Sequence, residues 1–435
     1  MCNDAALDYL YSLGMFGIKL GLDNIRGLLG SLDDPHTHYP IIHVAGTNGK
    51  GSVCAFLGQI YTQGGYRVGI YTSPHLKHFN ERIRIGSEFI SISEVANLTT
   101  EIRAVAQDVQ PTFFEFTTAM ALLYFARQKV DLVVLEVGMG GRLDATNVVD
   151  PVLSIITPVS YDHATYLGNS LSDIAAEKGG IIKAGIPLVL GPQLPEVETC
   201  LQTLATQKHA PCYHYGADYR VERANSGGGG EFIFDITTPQ QIWQALKPGL
   251  RGEHQGENLG VALMALEVLE TQGLKVEPAQ IRTAVAQTRW PGRLEWFGPA
   301  ATFPGTVLLD GAHNRAGLIA LRHYLQACGV DSVHWVCGFK HDKDARDMIP
   351  LLSDYVRSFY AVPVPVEDHW EPRDLAAIAV SAGITAQAYV EVGTALKQAL
   401  ENCRLHDIVV VAGSLFLVAE VRRIMHLHTW GSTCP

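Results

Sequence analysis

Short apolar runs punctuate the chain, each closed by a turn and followed by a stretch of helical length. "IIHVAGT" (41–47), "RVGIYTS" (67–73), "LVVLEVG" (132–138), "LSIITPV" (153–159) and "PLVLGP" (187–192) are apolar almost throughout rather than alternating, so they read as buried parallel strands. Helix-like segments such as "SVCAFLGQIYTQGG" and "EFTTAMALLYFARQK" lie between them. This alternation predicts a doubly wound, mostly parallel α/β sheet. The rhythm breaks at 212–237, where "CYHYGADYRVERANSGGGGEFIFDIT" reads as an antiparallel hairpin joined by the Gly227–Gly230 run. A second α/β pattern begins near 299 with "TVLLDGAHN", "VHWVCGF", "SFYAVPV", "AQAYVEV" and "DIVVVAGS". "TRWPGRLEWF" (288–297), with its proline, glycine and change of pattern, marks the boundary. The expected architecture is a P-loop α/β domain over 1–295 that includes the hairpin region, then a smaller Rossmann-like α/β domain over 296–435. Ligands of open α/β sheets collect at the carboxyl ends of the strands, so the cleft between the domains is the expected site.

Composition narrows the class of ligand. The 435 residues are 47% hydrophobic and 18% charged, as in a soluble globular protein. A net charge of −11 argues against nucleic acid as a partner. Eight cysteines without a C-x-x-C pair argue against a zinc ribbon or redox dithiol and suit a reducing cytoplasm. The first residues lack the basic stretch of a secretory signal, and the apolar run from Ile408 is too short to span a bilayer. The expectation is a cytoplasmic monomer that binds small molecules.

"HVAGTNGKGSV" (43–53) changes the picture from fold to chemistry. It departs from the usual phosphate-loop spacing, because Val44 stands where the first glycine belongs and Gly51 separates Lys50 from Ser52. The physical case for a phosphate cradle survives. Gly46, Gly49 and Gly51 let the chain curl with its N–H groups inward, and a helix N-terminus adds its dipole. Lys50 supplies a cation, and the Ser52 hydroxyl can reach a phosphate or magnesium. ATP is the leading ligand, with Thr47 and Asn48 inside the cradle. Glu136 ends an apolar strand, where a charge is costly unless it is paired or coordinates a metal, and Mg·ATP needs such a carboxylate.

"GTNGKGS" resembles the loop of the Mur ligase superfamily, and its Gly-Lys-Gly-Ser form resembles the folylpolyglutamate synthase and dihydrofolate synthase branch. Further motifs follow in that family's order. "YTSPHL" is similar to the segment whose serine, here Ser73, is a magnesium ligand. "LEVGMGGRLDATN" (135–147) nearly matches the most specific signature, placing Glu136 and Arg142. "SYDHATYLG" puts His163 at a magnesium-ligand position, and "AAEKGGIIK" puts Lys178 where the superfamily carries a carbamylated lysine. "GEHQGENLGVAL" offers Asn258 to the adenine side of ATP, "WPGRLEW" offers Arg293 to phosphate, and "LLDGAHN" offers Asp310 to the nucleotide and His313 to the incoming amine. "KLGLDNIRGLL" (19–29), with Leu22 and a departure at Lys19, resembles the pterin end of the site, as does Phe114-Glu115-Phe116. "CGFKHDKDARDMIPLL" (337–352) resembles the family's G-x-x-x-D-K-D segment, but its charges also read as a solvated helix start, and they stay outside the expected site.

The resemblance implies an ATP-dependent ligase that activates a pteroate or folate carboxylate as an acyl phosphate and joins it to L-glutamate. It implies two magnesium ions and leaves a monovalent cation open. Two alternatives stand beside it. One is a Mur-type ligase adding amino acids to a nucleotide-linked sugar, which would carry a separate domain before the phosphate loop. The other is a non-catalytic ATP-binding module.

Overall fold

The computed structural model describes residues 3–16, 21–106, 109–224, 230–298, 305–404 and 407–425. The first sheet holds β1 (Ile41–Ala45), β2 (Val68–Tyr71), β3 (Ile83–Ile85), β4 (Glu88–Phe89), β5 (Leu132–Glu136), β6 (Leu153–Ile156), β7 (Leu188–Leu190) and β8 (Cys212–His214). Their spatial order is β4-β3-β2-β5-β1-β6-β7-β8, with β1 central and parallel to both β5 and β6. Successive side chains of a strand point to opposite faces, so an apolar run feeds two cores at once. Ile42, Val44 and Val134 pack with Phe56, Leu57 and Ile60 of the helix Lys50–Gln63 on one face. Ile41, Val133 and Leu135 pack with Phe116 and Met120 of the helix Phe113–Arg127 on the other. The doubly wound expectation therefore has its physical basis in these strands.

The hairpin region differs in one respect. Cys212–His214 does not join it but pairs in parallel with β7 at the edge of the first sheet. The antiparallel unit is instead β9 (Arg220–Ala224), β10 (Ile233–Thr237) and β11 (Ile242–Leu246), ordered β11-β10-β9. Gly227, Gly228 and Gly229 lie outside the described residues, as does Lys19. A second departure is at the other edge, where β3 and β4 are antiparallel and carry Arg84 and Glu88.

The second sheet comprises β12 (Glu295–Phe297), β13 (Val307–Leu309), β14 (Val333–Cys337), β15 (Val356–Ala361), β16 (Thr385–Ala388) and β17 (Ile408–Ala412), in the order β12-β13-β17-β14-β15-β16. Only β12 runs antiparallel, pairing Glu295 with Leu309. The loops leaving β1, β2, β5 and β6 meet those leaving β13, β14 and β17 around two adjoining cavities.

Candidate active site

The phosphate loop leaves β1 through Gly46, whose φ of 140° is open only to glycine. A Cβ there would also collide with the Thr157 hydroxyl. Thr47 and Asn48 both donate backbone N–H groups to the Pro158 carbonyl, at 3.0 and 3.3 Å, which ties the loop to the segment after β6. Gly49, with φ of 90°, is the N-cap residue of the helix that begins at Lys50. The amide of Asn258 sits where a Gly49 side chain would be. Lys50 Nζ donates back to the carbonyls of Gly46 and Thr47, at 3.1 and 3.2 Å. Lys178 Nζ donates to the same Gly46 oxygen at 2.9 Å. Two lysine amines thus converge on one carbonyl, and the Lys50 cation gives this point its attraction for an anion.

Lys178 is 4% exposed at the end of the helix Leu171–Gly179. Burial, with Lys50 nearby, pulls its pKa down to about 7. Glu136 is buried beside the loop and accepts the Ser73 N–H at 3.0 Å. Burial pushes its pKa up against the opposing pull of Lys50, that N–H and Arg293. Among the described residues, no cluster of three or more His, Cys, Asp or Glu forms a self-sufficient metal site. Ser52, Ser73 and Glu136 line one cavity with the phosphate loop. That set of few oxygen donors fits magnesium, which keeps waters and phosphate oxygens among its ligands.

This first cavity, of about 330 Å³, is also lined by Arg293 of the connector between the sheets and by Asp310 and His313 after β13. Asp310 accepts the N–H groups of Leu294 and Ala312, each at 2.9 Å. Burial raises its pKa, with Arg293 acting against the rise. His313 donates Nδ1–H to the Gly311 carbonyl at 2.7 Å, which turns Nε2 toward Asp162, 3.5 Å away.

A second cavity of about 500 Å³ adjoins the first and shares His163, His313, Met139 and Leu415 with it. One part of its wall is aromatic, with Phe113 and Phe114. Arg82 lies over the Phe113 ring, 5.2 Å from its centre. Lys340, Lys343 and Ser414 supply cationic and hydroxyl groups to the same cavity.

Comparison with known proteins agrees with this geometry. Residues 44–266 match the family model of the Mur ligase middle domain, and residues 299–424 that of the dihydrofolate synthetase C-terminal domain. A Bacillus subtilis dihydrofolate synthase/folylpolyglutamate synthase is 32% identical over 428 residues, covering 96% of this chain and 98% of its own. The chain belongs to the folylpolyglutamate synthase/dihydrofolate synthase family. A Haloferax volcanii protein, probable bifunctional folylpolyglutamate synthase/dihydropteroate synthase, is 35% identical over 429 residues. That alignment covers 96% of this chain but 50% of the Haloferax protein, so the chain spans half the length of that relative. The structure of Mycobacterium tuberculosis folylpolyglutamate synthase with ADP and AMPPCP superposes with a TM-score of 0.90 at 29% identity, covering 98% of this chain and 100% of its own. A bifunctional folylpolyglutamate synthase/dihydrofolate synthase with Mn, AMPPNP and L-glutamate bound superposes with a TM-score of 0.85 at 31% identity, covering 98% of both chains.

Most residues expected from the family motifs converge. Gly46, Thr47, Asn48, Gly49, Lys50, Gly51, Ser52, Ser73, Glu136, His163, Lys178, Asn258, Arg293, Asp310 and His313 all line the first cavity, and Phe114 and Glu115 line the second. Three expected substrate contacts do not reach either wall. Phe116 is fully buried in the core, edge-on to Tyr9 with ring centres 5.6 Å apart. Leu22 is half-buried against the same core, though its neighbour Gly21 borders the second cavity. Arg142 points outward and pairs with Glu177 at 2.7 Å, tying its loop to the helix that carries Lys178.

Other wall residues escaped sequence reasoning. His254 and Gln255 line the first cavity beside Asn258, in a motif that was legible but read for its asparagine alone. Asp162 is 9% exposed at its side chain and pairs with Lys343, which is equally buried at 7%. Burial alone would raise the Asp162 pKa, yet His313, His163 and Lys343 outweigh it and hold the carboxyl far below the usual range. Lys343 belongs to the charge run that read as solvated.

Proposed function

We propose that the protein is an ATP-dependent ligase that activates a pteroate or folate carboxylate and couples it to L-glutamate. It acts as a dihydrofolate synthase, a folylpolyglutamate synthase, or both. The observation that carries this reading is the shared wall between the cavities. A γ-phosphate cradled on Gly46–Ser52 and a carboxylate in the second cavity would meet beside His163 and His313.

A free carboxylate resists amines because it would have to expel oxide. Transfer of the γ-phosphoryl group to its oxygen forms an acyl phosphate and releases ADP. The amine of glutamate then attacks the carbonyl carbon and loses a proton, and the carbon–oxygen bond to phosphate breaks, so that phosphate leaves with that oxygen. Lys50 and Arg293 offset charge on the group in transit. A divalent cation held with the phosphates by Ser52, Ser73 and Glu136 would supply further charge neutralisation. Asp310, read as a nucleotide contact, has its oxygens engaged by backbone N–H groups, and its charge favours the cationic form of the buried Arg293. His313 borders both cavities and is the group placed to take the amine proton. Asn258 packs against the phosphate loop on the nucleotide side.

Phe113 and Phe114 suit a flat heteroaromatic ring, and Lys340 and Lys343 suit the carboxylates of glutamate. Lys178 is read as carbamylated, and its depressed pKa supports that reading, because a neutral amine is the form that captures carbon dioxide.

The test is ADP release with MgATP and L-glutamate, first with dihydropteroate and then with tetrahydrofolate. Glutamate-dependent release with at least one pteridine is the expected result. Release with neither would overturn the reading.

A further inference from the structure

Asn314 starts the helix Arg315–Ala327, and its Oδ1 accepts the Gly317 N–H at 2.9 Å as an N-cap. A cap needs only that oxygen. The two amide hydrogens point elsewhere. One is donated to Asn48 Oδ1 at 3.0 Å and the other to Asp162 Oδ2 at 3.3 Å. Asn48 returns its own amide toward Asn314 Oδ1 at 3.4 Å and Ser160 Oγ at 3.3 Å. Asn314 is 4% exposed, and its two amide hydrogens are held by two other chain segments.

Those segments are the machinery of both cavities. Asn48 belongs to the phosphate loop, and Asp162 to the segment that loop hangs from through Pro158. Asp162 also takes the ion pair from Lys343 and faces His313 Nε2. A displacement of Asn48 is therefore passed through Asn314 to Asp162, and from there to the two groups that border the second cavity. The links from Asn48 through Asn314 and Asp162 to His313 are polar and part-buried, at 3.0 to 3.5 Å, so a shift at one end is felt at the other.

We propose that Asn314 is a positioning residue that couples the two sites, so that nucleotide on the phosphate loop sets His313 and Lys343 for the amino acid. The coupling rests on the ligase reading above. It predicts that glutamate binds more tightly to the nucleotide-loaded enzyme, and by reciprocity that glutamate tightens nucleotide binding by the same factor.

Asn314→Ser separates coupling from capping. Serine caps a helix about as well as asparagine, but its single short hydroxyl cannot also reach Asn48 and Asp162. Calorimetric titration of L-glutamate into the full-length enzyme, with and without saturating Mg·AMPPNP, gives the coupling factor directly. The expected wild-type factor is about fivefold or more. In Asn314→Ser it falls to near one, while the melting temperature without ligand stays close to wild type. Asn314→Ala, which loses the cap as well, lowers both.

A wild-type factor near one, or an unchanged factor in Asn314→Ser, would overturn the coupling. If the wild type is active with a pteridine and glutamate, either result leaves the ligase reading standing. A wild type inactive with both pteridines overturns that reading and the coupling together.

Discussion

Lys178 draws its chemistry from burial. An ordinary lysine at neutral pH is neutral in roughly one molecule in several thousand, whereas one with a pKa of about 7 is neutral in about half. If a carbamate at this position orients the phosphoryl group, Lys178→Ala abolishes ADP release and added short carboxylates restore part of it. Unimpaired activity in the alanine variant would sink the role. The same burial has a stability consequence of definite sign. The unfolded chain, with the lysine pKa near its ordinary 10.5, binds more protons than the folded chain between about pH 7 and that value. The penalty for burying this amine is therefore full below pH 7 and fades as the pH rises through that window. Lys178→Met should raise the melting temperature of the unliganded protein more at pH 7 than at pH 9.5. An equal or opposite difference would show that the amine is not held near neutrality. Neither property was legible locally, because a lysine at a helix C-terminus is ordinarily welcome at the surface. Lys343 was hidden for a related reason. Its burial comes from Asp162, 181 residues away, and a run of charges before a helix carries no trace of that contact.

At the scale of elements, the strands were readable wherever burial on both faces made them uniformly apolar. β1, β5 and β17 are the clearest cases, with every residue buried. β8 was misplaced because its three residues are only half-buried at a sheet edge and follow no buried pattern. The antiparallel edge at β3 was missed because Arg84 interrupts the apolar run. Glu115 shows how an element can claim a residue expected to serve a ligand. It is the third residue of the helix Phe113–Arg127, and its carboxylate accepts the Thr112 N–H at 2.7 Å while the Thr112 hydroxyl accepts the Glu115 N–H at 3.2 Å. That reciprocal cap fixes the helix start that carries Phe113 and Phe114 to the second cavity. Glutamine serves the same cap, so Glu115→Gln should leave the melting temperature and the KM for the pteridine nearly unchanged. Glu115→Ala should cost about 1 kcal/mol in denaturant titration. A KM that rises severalfold in the glutamine variant, with stability intact, would instead make Glu115 a direct charge contact to substrate.

Across the whole molecule, the two sheets share an apolar cluster, with Ile42 and Val134 of the first and Leu308 and Trp335 of the second, and the polar links between them gather at the cavities. The connector between them carries Arg293, which lines the phosphate-side cavity together with Asp310 from the second sheet. Sequence motifs located both halves of this arrangement, since each follows the carboxyl end of an apolar strand. They did not show which groups join the halves, because Asn314 and Asp162 look like ordinary turn residues until the sheets are brought together. A site divided in this way binds nucleotide tightly only when both halves engage it, so binding should protect both. Hydrogen exchange with Mg·AMPPNP present should slow the amides of 46–52 and 158–163, which hold the phosphate loop. It should slow those of 291–294 and 310–314 as well, because Arg293 and Asp310 line the same cavity as the phosphate loop. The strands β9, β10 and β11 lie outside both cavities and should exchange as before. Protection confined to the first sheet would mean that nucleotide alone does not recruit the second, and that the acceptor or glutamate must bind before the halves close.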